Sequence, residues 1–446
     1  MAAIDPSLYR KIELVKDGKS VDIRLACAAI DIYESVLSPN ITAKIQIVNA
    51  GGSIKDDKGD IVTLYEGMKV RGGEQVFILI DKNAPQNKAV DFLNTHPLYV
   101  SSIENVIKDD TKEFFVMNLV SREAFENQHT FLLRSFSKEA KISKHVEDIL
   151  NESFRVSRQN VLDPTSNTLG FNGNQEKPFD MLINLASKSV SGDAISKDIS
   201  AGFFFFQTIR GFNFRSIDKL MTEEKKATFV YTDSNINRID YRGTEELPNL
   251  DFKITYFEIK KNQNFVKQLR RGAYATSRRF FDPTNYRVTD ESLNFKGDAY
   301  IGPMKNLGQP FDTNDLSYDG IDLTTLPSQI ITDAFDRGTL DKGVTEEPTY
   351  NIEEVLSQRK VRYNTLYTQV ANLQVPLATH LQAGDIVEIL FPKVNAEEKY
   401  DLDSPQVSGL YMITDLRHHF DSRYSMTSMN IARDTFGKTG INNRLS

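Results

Sequence analysis

The chain has 446 residues, 40% hydrophobic and 26% charged, which is the make-up of a folded protein and rules out disorder of the whole. That length exceeds what one core usually supports, so two to four packed units are expected. A formal net charge of -7 argues against a protein whose main task is to grip nucleic acid, because phosphate binding needs a cationic surface.

The one cysteine, Cys27, has no intramolecular partner and sits in the apolar run RLACAAI, where it reads as a small packed hydrophobe in a chain assembled in a reducing compartment. The start, MAAIDPSLYRK, carries charge and proline where a signal peptide needs an apolar segment, and the run AGFFFFQTI is too short to span a bilayer. Neither export nor membrane insertion is indicated. Six histidines make the chain poor in metal ligands, and no metal or cofactor is expected.

Residues 1 to about 124 read as β throughout. Ile12 and Leu14 precede Asp17-Gly18, a hairpin signal, and Val21, Ile23 and Leu25 are expected to resume the alternation. Ile41, Ala43, Ile45 and Ile47 alternate with Thr42, Lys44 and Gln46, giving one buried and one wet face. Further strands fit QVFILID, PLYVSSIENV and EFFVMNLVS, a spacing that suits a small barrel or sandwich.

Helix follows. KEAKISKHVEDILNESF places Ile142, Val146, Ile149, Leu150 and Phe154 on one face, with Ser137 as the expected cap. In PFDMLINLASKSV, Phe179, Leu182, Ile183 and Ala186 are expected to share a face, with Pro178 in the first turn and Gly192 beyond the end. FFFFQTIRGFNFRS reads as a hairpin about Arg210-Gly211. Phe203 to Phe206 cannot all face one side, so this strand is expected to be covered on both faces.

Strand character returns in ATFVYTD and FKITYFEIKKN, followed by RRGAYATSRRFFD. Residues 290 to 349 are rich in Gly, Pro, Asp and Thr and read as a loop-rich excursion with local helix at SQIITDAFDRG. NIEEVLSQRKVRYNTLY fits a helix with Ile352, Leu356 and Tyr363 inward, leading through VANLQVPL into a closing meander. There the turn Ala383-Gly384-Asp385 opens the strand IVEILF, SGLYMITDLRHHF is a second strand, and Asp421-Ser422-Arg423 turns into YSMTSMNIARD. No short repeat is visible, although the two β units have the look of distant copies.

The chemistry-bearing residues have plain structural readings. His418 and His419 are neighbours on a strand, point to opposite faces and cannot share a metal. No HExxH, cysteine pair, EF-hand loop, GxxxxGK[ST] or GxSxG occurs in the sequence. Glu245-Glu246 and Glu346-Glu347 have the residue types of a glycosidase pair, but nothing gives them a shared cleft. Arg270, Arg271, Arg278 and Arg279 form a basic cluster that suits a phosphate or a partner's carboxylates as well as a solvated strand end. Arg433-Asp434, at the expected end of an edge strand, suits an ion pair within or between subunits.

The order of residues in the closing meander resembles the C-terminal part of the baseplate central hub proteins of contractile-tailed, T-even-like phages, the tail-hub superfamily. The resemblance lies in Gly384, Asp385, Ser408, Gly409, Tyr411, Ile413, His418, Tyr424, Thr427, Arg433, Asp434 and Gly437, with Gly272, Tyr274 and Asp282 upstream. It implies an α+β, mainly β fold. Two small barrel-like tube domains, at 1-124 and at 229-289 with 350-437, would flank an α/β middle domain at 125-228, with a loop-rich insertion at 290-349 and a tail at 438-446. It also implies a non-enzymatic homotrimer that adapts a trimeric spike to a hexameric tail tube and surrounds a DNA channel, which a mildly negative chain suits. Implied partners are the chain itself, the central spike protein, the tail tube protein and its initiator, the baseplate wedge proteins and DNA in passage, in the tail baseplate of a virion assembled in host cytoplasm. Arg270, Arg271, Arg278, Arg279, Arg433 and Asp434 are the candidate partner contacts. A tail-associated cell-wall hydrolase, a receptor-binding adhesin and the hub of a phage-derived injection particle are the competing readings.

Overall fold

The computed structural model describes residues 2–435 apart from 50–53, 56–60, 94–95, 110–111, 156–157, 193–201, 232–239, 242–244, 247–249, 263, 283–285, 295–305, 309–316, 323–324, 335–351, 392–403 and 405. The fold is α+β and mainly β. Strands β1 (Tyr9–Lys16) and β2 (Lys19–Asp22) meet through Asp17 (φ 48°) and Gly18 (φ 77°). Two successive positive φ values match the twist of a tight hairpin, and the Asp-Gly pair tolerates them. The last bond of the pair is Ile23 N–H to the Ile12 carbonyl at 2.9 Å; Ile23 packs in the core, while Leu25, expected to extend the alternation, lies beyond the strand and is exposed. Then come β3 (Cys27–Ser35), β4 (Thr42–Asn49), β5 (Gln75–Ile80), β6 (Leu98–Lys108) and β7 (Glu113–Ser121). Ala43, Ile45 and Ile47 of β4 are buried, as their spacing predicts.

Beyond β7 lie α1 (Arg122–His129), α2 (Ile142–Ser153) and α3 (Pro178–Lys188). Lys141, not Ser137, is the N-cap of α2. The Ser137 carbonyl lies 3.0 Å from His145 Nε2, which holds that residue away from the helix end. On α3, Phe179, Leu182 and Ala186 are buried as expected, but Ile183 is exposed and Met181 and Leu185 take the inward places.

The hairpin β8 (Phe203–Thr208) and β9 (Gly211–Ser216) is buried at every residue. Phe203 and Phe205 join Phe212 and Phe214 against Ile149, Leu150, Phe179 and Leu182 of the two helices. Phe204 and Phe206 point the other way, to Ile217 and Leu220 of α4 (Ile217–Thr222) and to Ile386 and Met412. At roughly 1.5–3 kcal/mol for each buried aromatic, this hairpin bonds the helical layer to the sheet.

The remaining elements are β10 (Ala227–Val230), β11 (Tyr256–Asn262), α5 (Phe265–Arg270), β12 (Ala275–Asp282), β13 (Arg287–Asn294), β14 (Gln329–Ala334), α6 (Ile352–Leu366), β15 (Gln369–Pro376), β16 (Ile386–Leu390), β17 (Gly409–Asp421) and β18 (Ser425–Arg433). The short helix α5 has no strong periodicity in the sequence; the Asn264 side chain caps it by accepting from the Lys267 N–H at 3.0 Å. The segment expected to be helical at SQIITDAFDRG contains β14 instead, parallel to β12. Its Ile330, Ile331 and Thr332 are β-branched and fit a pleated strand better than a helix. The side chains of Ile352 and Leu356 lie outside the described ones, while Tyr363 of α6 turns inward and donates its hydroxyl to the Phe203 carbonyl.

One sheet runs through both β units. Its order is β11-β15-β18-β17-β3-β4-β7-β6-β5-β1-β2, with β16 beside both β17 and β10. Taken five strands at a time, the path repeats. In the first half, β3, β4, β5, β6 and β7 are arranged β3-β4-β7-β6-β5; in the second, β11, β15, β16, β17 and β18 are arranged β11-β15-β18-β17-β16. Both circuits have spatial order 1-2-5-4-3, with every neighbour antiparallel. Even an irregularity recurs: the β17–β18 register shifts at Thr414, between Ile413 and Asp415, and the β6–β7 register shifts at Ser101, between Val100 and Ser102. The two β units are thus copies in topology, as the sequence suggested. The circuits differ in what joins their first two strands, residues 36–41 in one and 263–368 in the other.

Candidate functional site

The two circuits meet where β17 pairs with β3, from Asp415 opposite Ser35 to Asp421 opposite Ala29. Asp31 lies buried in that seam. Its Oδ1 is 2.9 Å from the Arg417 guanidinium and 2.6 Å from His419 Nδ1. Burial pushes the Asp31 carboxyl up, but the His419 hydrogen bond and the Arg417 charge outweigh it and hold the group below the usual carboxylate range. His419 is raised in turn, chiefly by its bond to Asp31. A second link is Ser35, whose hydroxyl donates to Asp415 Oδ1 at 2.7 Å. Beside the seam is a polar hollow of about 360 Å³ whose lining includes Tyr33, Lys260, Asp415, Arg417 and Asn430.

Glu34 ties the seam to the aromatic hairpin. Its carboxylate accepts the Ile209 N–H at 2.7 Å and the Ala383 N–H at 3.0 Å. Burial dominates and pushes its pKa up to about 7 despite those donors. Asp385, in the turn after Gly384, is likewise pushed up to about 6 by burial while it accepts the Gln382 N–H. Gly384 has φ +91°, the left-handed region that the turn requires, and a Cβ there would stand 3.1 Å from the Phe206 ring.

Arg433 and Asp434 are interior residues. β18 is not an edge strand, because β15 and β17 flank it. Arg433 is fully buried: Nε donates to Gln369 Oε1 at 2.6 Å, Nη2 to the Gln406 carbonyl at 2.5 Å, and the guanidinium stacks 4.5 Å from the Tyr411 ring centre. Burial lowers its pKa. Asp434 accepts the Leu307 N–H at 3.0 Å and pairs at 3.0 Å with Arg362, whose other terminal nitrogen lies 2.8 Å from Asp218. Arg362, 1% exposed, therefore joins α4, α6 and the end of β18. Sequence reasoning missed it, since Arg359, Lys360 and Arg362 look alike on a helix.

The basic cluster is divided. Arg270 and Arg271 are exposed at the end of α5, whereas Arg278 and Arg279 are consecutive on β12 and point apart, Arg278 buried and Arg279 exposed. His418 and His419 also point apart, as expected. His418 is buried against Thr427 Oγ1 at 2.9 Å, and burial lowers its pKa to about 3. Cys27 is buried and its thiol pushed up to about 12. Glu346 and Glu347 lie outside the described residues. Among the described residues no three His, Cys, Asp or Glu side chains form a group able to hold a metal, and no helix is long and apolar enough to cross a membrane.

No protein-family model and no curated protein matches the chain. Among solved structures it is similar to the tail protein of Neisseria meningitidis MC58, with a TM-score of 0.51 and 10% identity over 95% of this chain and 96% of that one. It is also similar to the 43 kDa tail protein of prophage MuSo2 from Shewanella oneidensis, with a TM-score of 0.53 and 10% identity over 95% and 98% of the two chains. The chain thus shares its fold with these two tail proteins over 95% of its length, in keeping with the hub resemblance.

Proposed function

We propose that this chain is a structural hub protein of a phage-type contractile tail, a trimeric ring that joins a trimeric spike to a hexameric tail tube. The observation that carries the reading is the end-to-end fold likeness to two tail proteins. The repeated five-strand circuit supports its symmetry. Two similar surfaces per chain let a closed ring of three present six near-equivalent contacts above while remaining threefold below. On this reading 1-124 and 229-289 with 350-437 are the tube domains, 125-228 is the middle domain that stiffens them, and 290-349 is an outward insertion. The partners are the spike, the tube protein and its initiator, and the wedge proteins, with DNA passing through the ring in the virion baseplate. The exposed Arg270, Arg271 and Arg279 are offered to an acidic partner surface.

The first test is the mass of the purified chain by native mass spectrometry over a range of concentrations, with and without the cognate spike protein. A trimer, alone or on spike addition, supports the adaptor. A monomer indifferent to the spike refutes it. Release of peptidoglycan fragments by the isolated chain, lost on replacing one carboxylate, would instead establish the hydrolase reading.

A further inference from the structure

We propose that the outer half of β6 (Ser102–Lys108) pairs antiparallel with β11 (Tyr256–Asn262) of a second copy of this chain, with Glu104 opposite the neighbour's Lys261. The argument rests on the hub reading only for the number of copies that close the ring. The contact itself comes from the repeat.

In each circuit the fourth strand is long and its two halves have different neighbours. In β17, Gly409–Met412 pair with β16 and Asp415–Asp421 pair with β3, the first strand of the other circuit. In β6, Leu98 and Tyr99 pair with β5 in the same way, but among the described residues no strand lies beyond Ser102–Lys108 on that side. The complementary edge is open too. β11 is the first strand of its circuit, equivalent to β3, and among the described residues it pairs with β15 alone. One junction of the repeat is thus made inside the chain, while the two halves of the other are left open, one on β11 at the end of the sheet and one on the outer half of β6, beyond the residues that pair with β5. An outward-facing donor and acceptor edge of that kind joins head to tail with a second copy.

The registers fix the pairing. Thr414 and Ser101 are the equivalent irregular positions, so Asp415 corresponds to Ser102 and Arg417 to Glu104. On the other edge, Ala371 of β15 faces Ile259 as Ala43 of β4 faces Ile32, and Val370 faces Lys261 as Thr42 faces Tyr33. Arg417 stands opposite Tyr33 in the internal seam. The same junction between copies therefore sets Glu104 opposite Lys261, a half-buried cation whose ammonium donates to the Tyr367 carbonyl within the chain, so that Glu104 gives it a carboxylate partner and favours that register. Val106 and Ile107 on one edge, and Tyr256 and Ile259 on the other, are exposed apolar side chains that this pairing covers.

The test is a cysteine pair in the full chain, E104C with K261C; Cys27 stays in place because it is buried. Oxidation is expected to give a covalent ladder that ends at a closed ring, collapses on reduction, and is absent from either single variant and from the out-of-register pair E104C with Y256C. Independently, E104K is expected to raise the concentration for half-assembly by roughly ten-fold, K261E likewise, and E104K/K261E to return it to within about two-fold of the parent. A ring seen by native mass spectrometry whose E104C/K261C pair stays unlinked overturns this junction and leaves the hub reading standing. No ladder together with a monomer at every concentration overturns both.

Discussion

Replacing Arg362 by methionine removes the cation between Asp218 and Asp434 while keeping a side chain long enough to fill its place. The guanidinium is 1% exposed and its two carboxylate contacts are 2.8 and 3.0 Å long, so water cannot take over either one without opening the packing between α4, α6 and β18. Breaking a buried pair from one side leaves an uncompensated charge, and a loss of about 3–5 kcal/mol is expected. The partner variant D434N removes one of those charges, so R362M/D434N should be less destabilised than the sum of the single variants by about 1–3 kcal/mol. The chain has no tryptophan, and urea unfolding is best followed by far-UV circular dichroism. If R362M unfolds within about 1 kcal/mol of the parent, or the cycle is additive, Arg362 is not the clamp its distances describe.

Three further outcomes follow from individual sites. His418 is buried neutral with its pKa lowered to about 3 from 6.5, so unfolding takes up a proton below the unfolded value, and its contribution is complete above pH 6.5 and lost as pH falls toward 3. Glu34 acts with the opposite sign: raised to about 7 from 4.5, it keeps a proton that the unfolded chain has lost, so stability falls as pH rises through that window. H418L should therefore reduce the loss of stability as pH falls from 6.5 toward 3, measured by urea midpoints, while the loss due to His380, which burial lowers to about 4, remains; an unchanged acid limb would refute the assignment. Gly384→Ala, at φ +91° and against the Phe206 ring, should cost about 1–3 kcal/mol in the same assay, with a neutral result counting against strain at that turn. Cys27 should be inert to alkylation in the native chain and react at the rate of unfolding, whereas fast native labelling would contradict its burial.

Period-two stretches were legible because burial on one face writes itself into alternate residues: β4, β5, β7 and the closing meander follow their patterns. The four phenylalanines were legible for the opposite reason, since a run with no alternation requires cover on both faces, and the two aromatic clusters supply it. Where pattern is weak, sequence reading failed. β14 is largely exposed, so no burial rhythm marks it, and its identity comes from pairing with β12 far upstream in the chain. The buried polar groups were invisible for a related reason. Asp31, Glu34 and Arg362 are satisfied by groups distant in sequence, and nothing local distinguishes them from solvated charges. Arg433 and Asp434 were visible as residues, but their interior position depends on β15 folding back against β18.

The repeat also explains why an edge is left open. A chain with one circuit would have both ends of its sheet exposed, and exposed edges with apolar side chains are templates for uncontrolled pairing. Duplication in one chain closes one such junction permanently through Asp31, Arg417 and His419. The proposed contact between copies would supply the second with the same geometry but different chemistry, Glu104 and Lys261 in place of Arg417 and Tyr33. Because Asp31 is buried in the internal seam while Glu104 is exposed, the proposed outer junction would be the weaker of the two even where they share a register. On the proposed hub reading, that asymmetry would let the protomer fold with one junction already made and keep ring closure reversible until the last copy arrives. On the proposed hub reading, the segment 263–368, which joins the first two strands in only one circuit, would recur at every second position around the ring and turn a sixfold arrangement of sheets into a threefold arrangement of insertions.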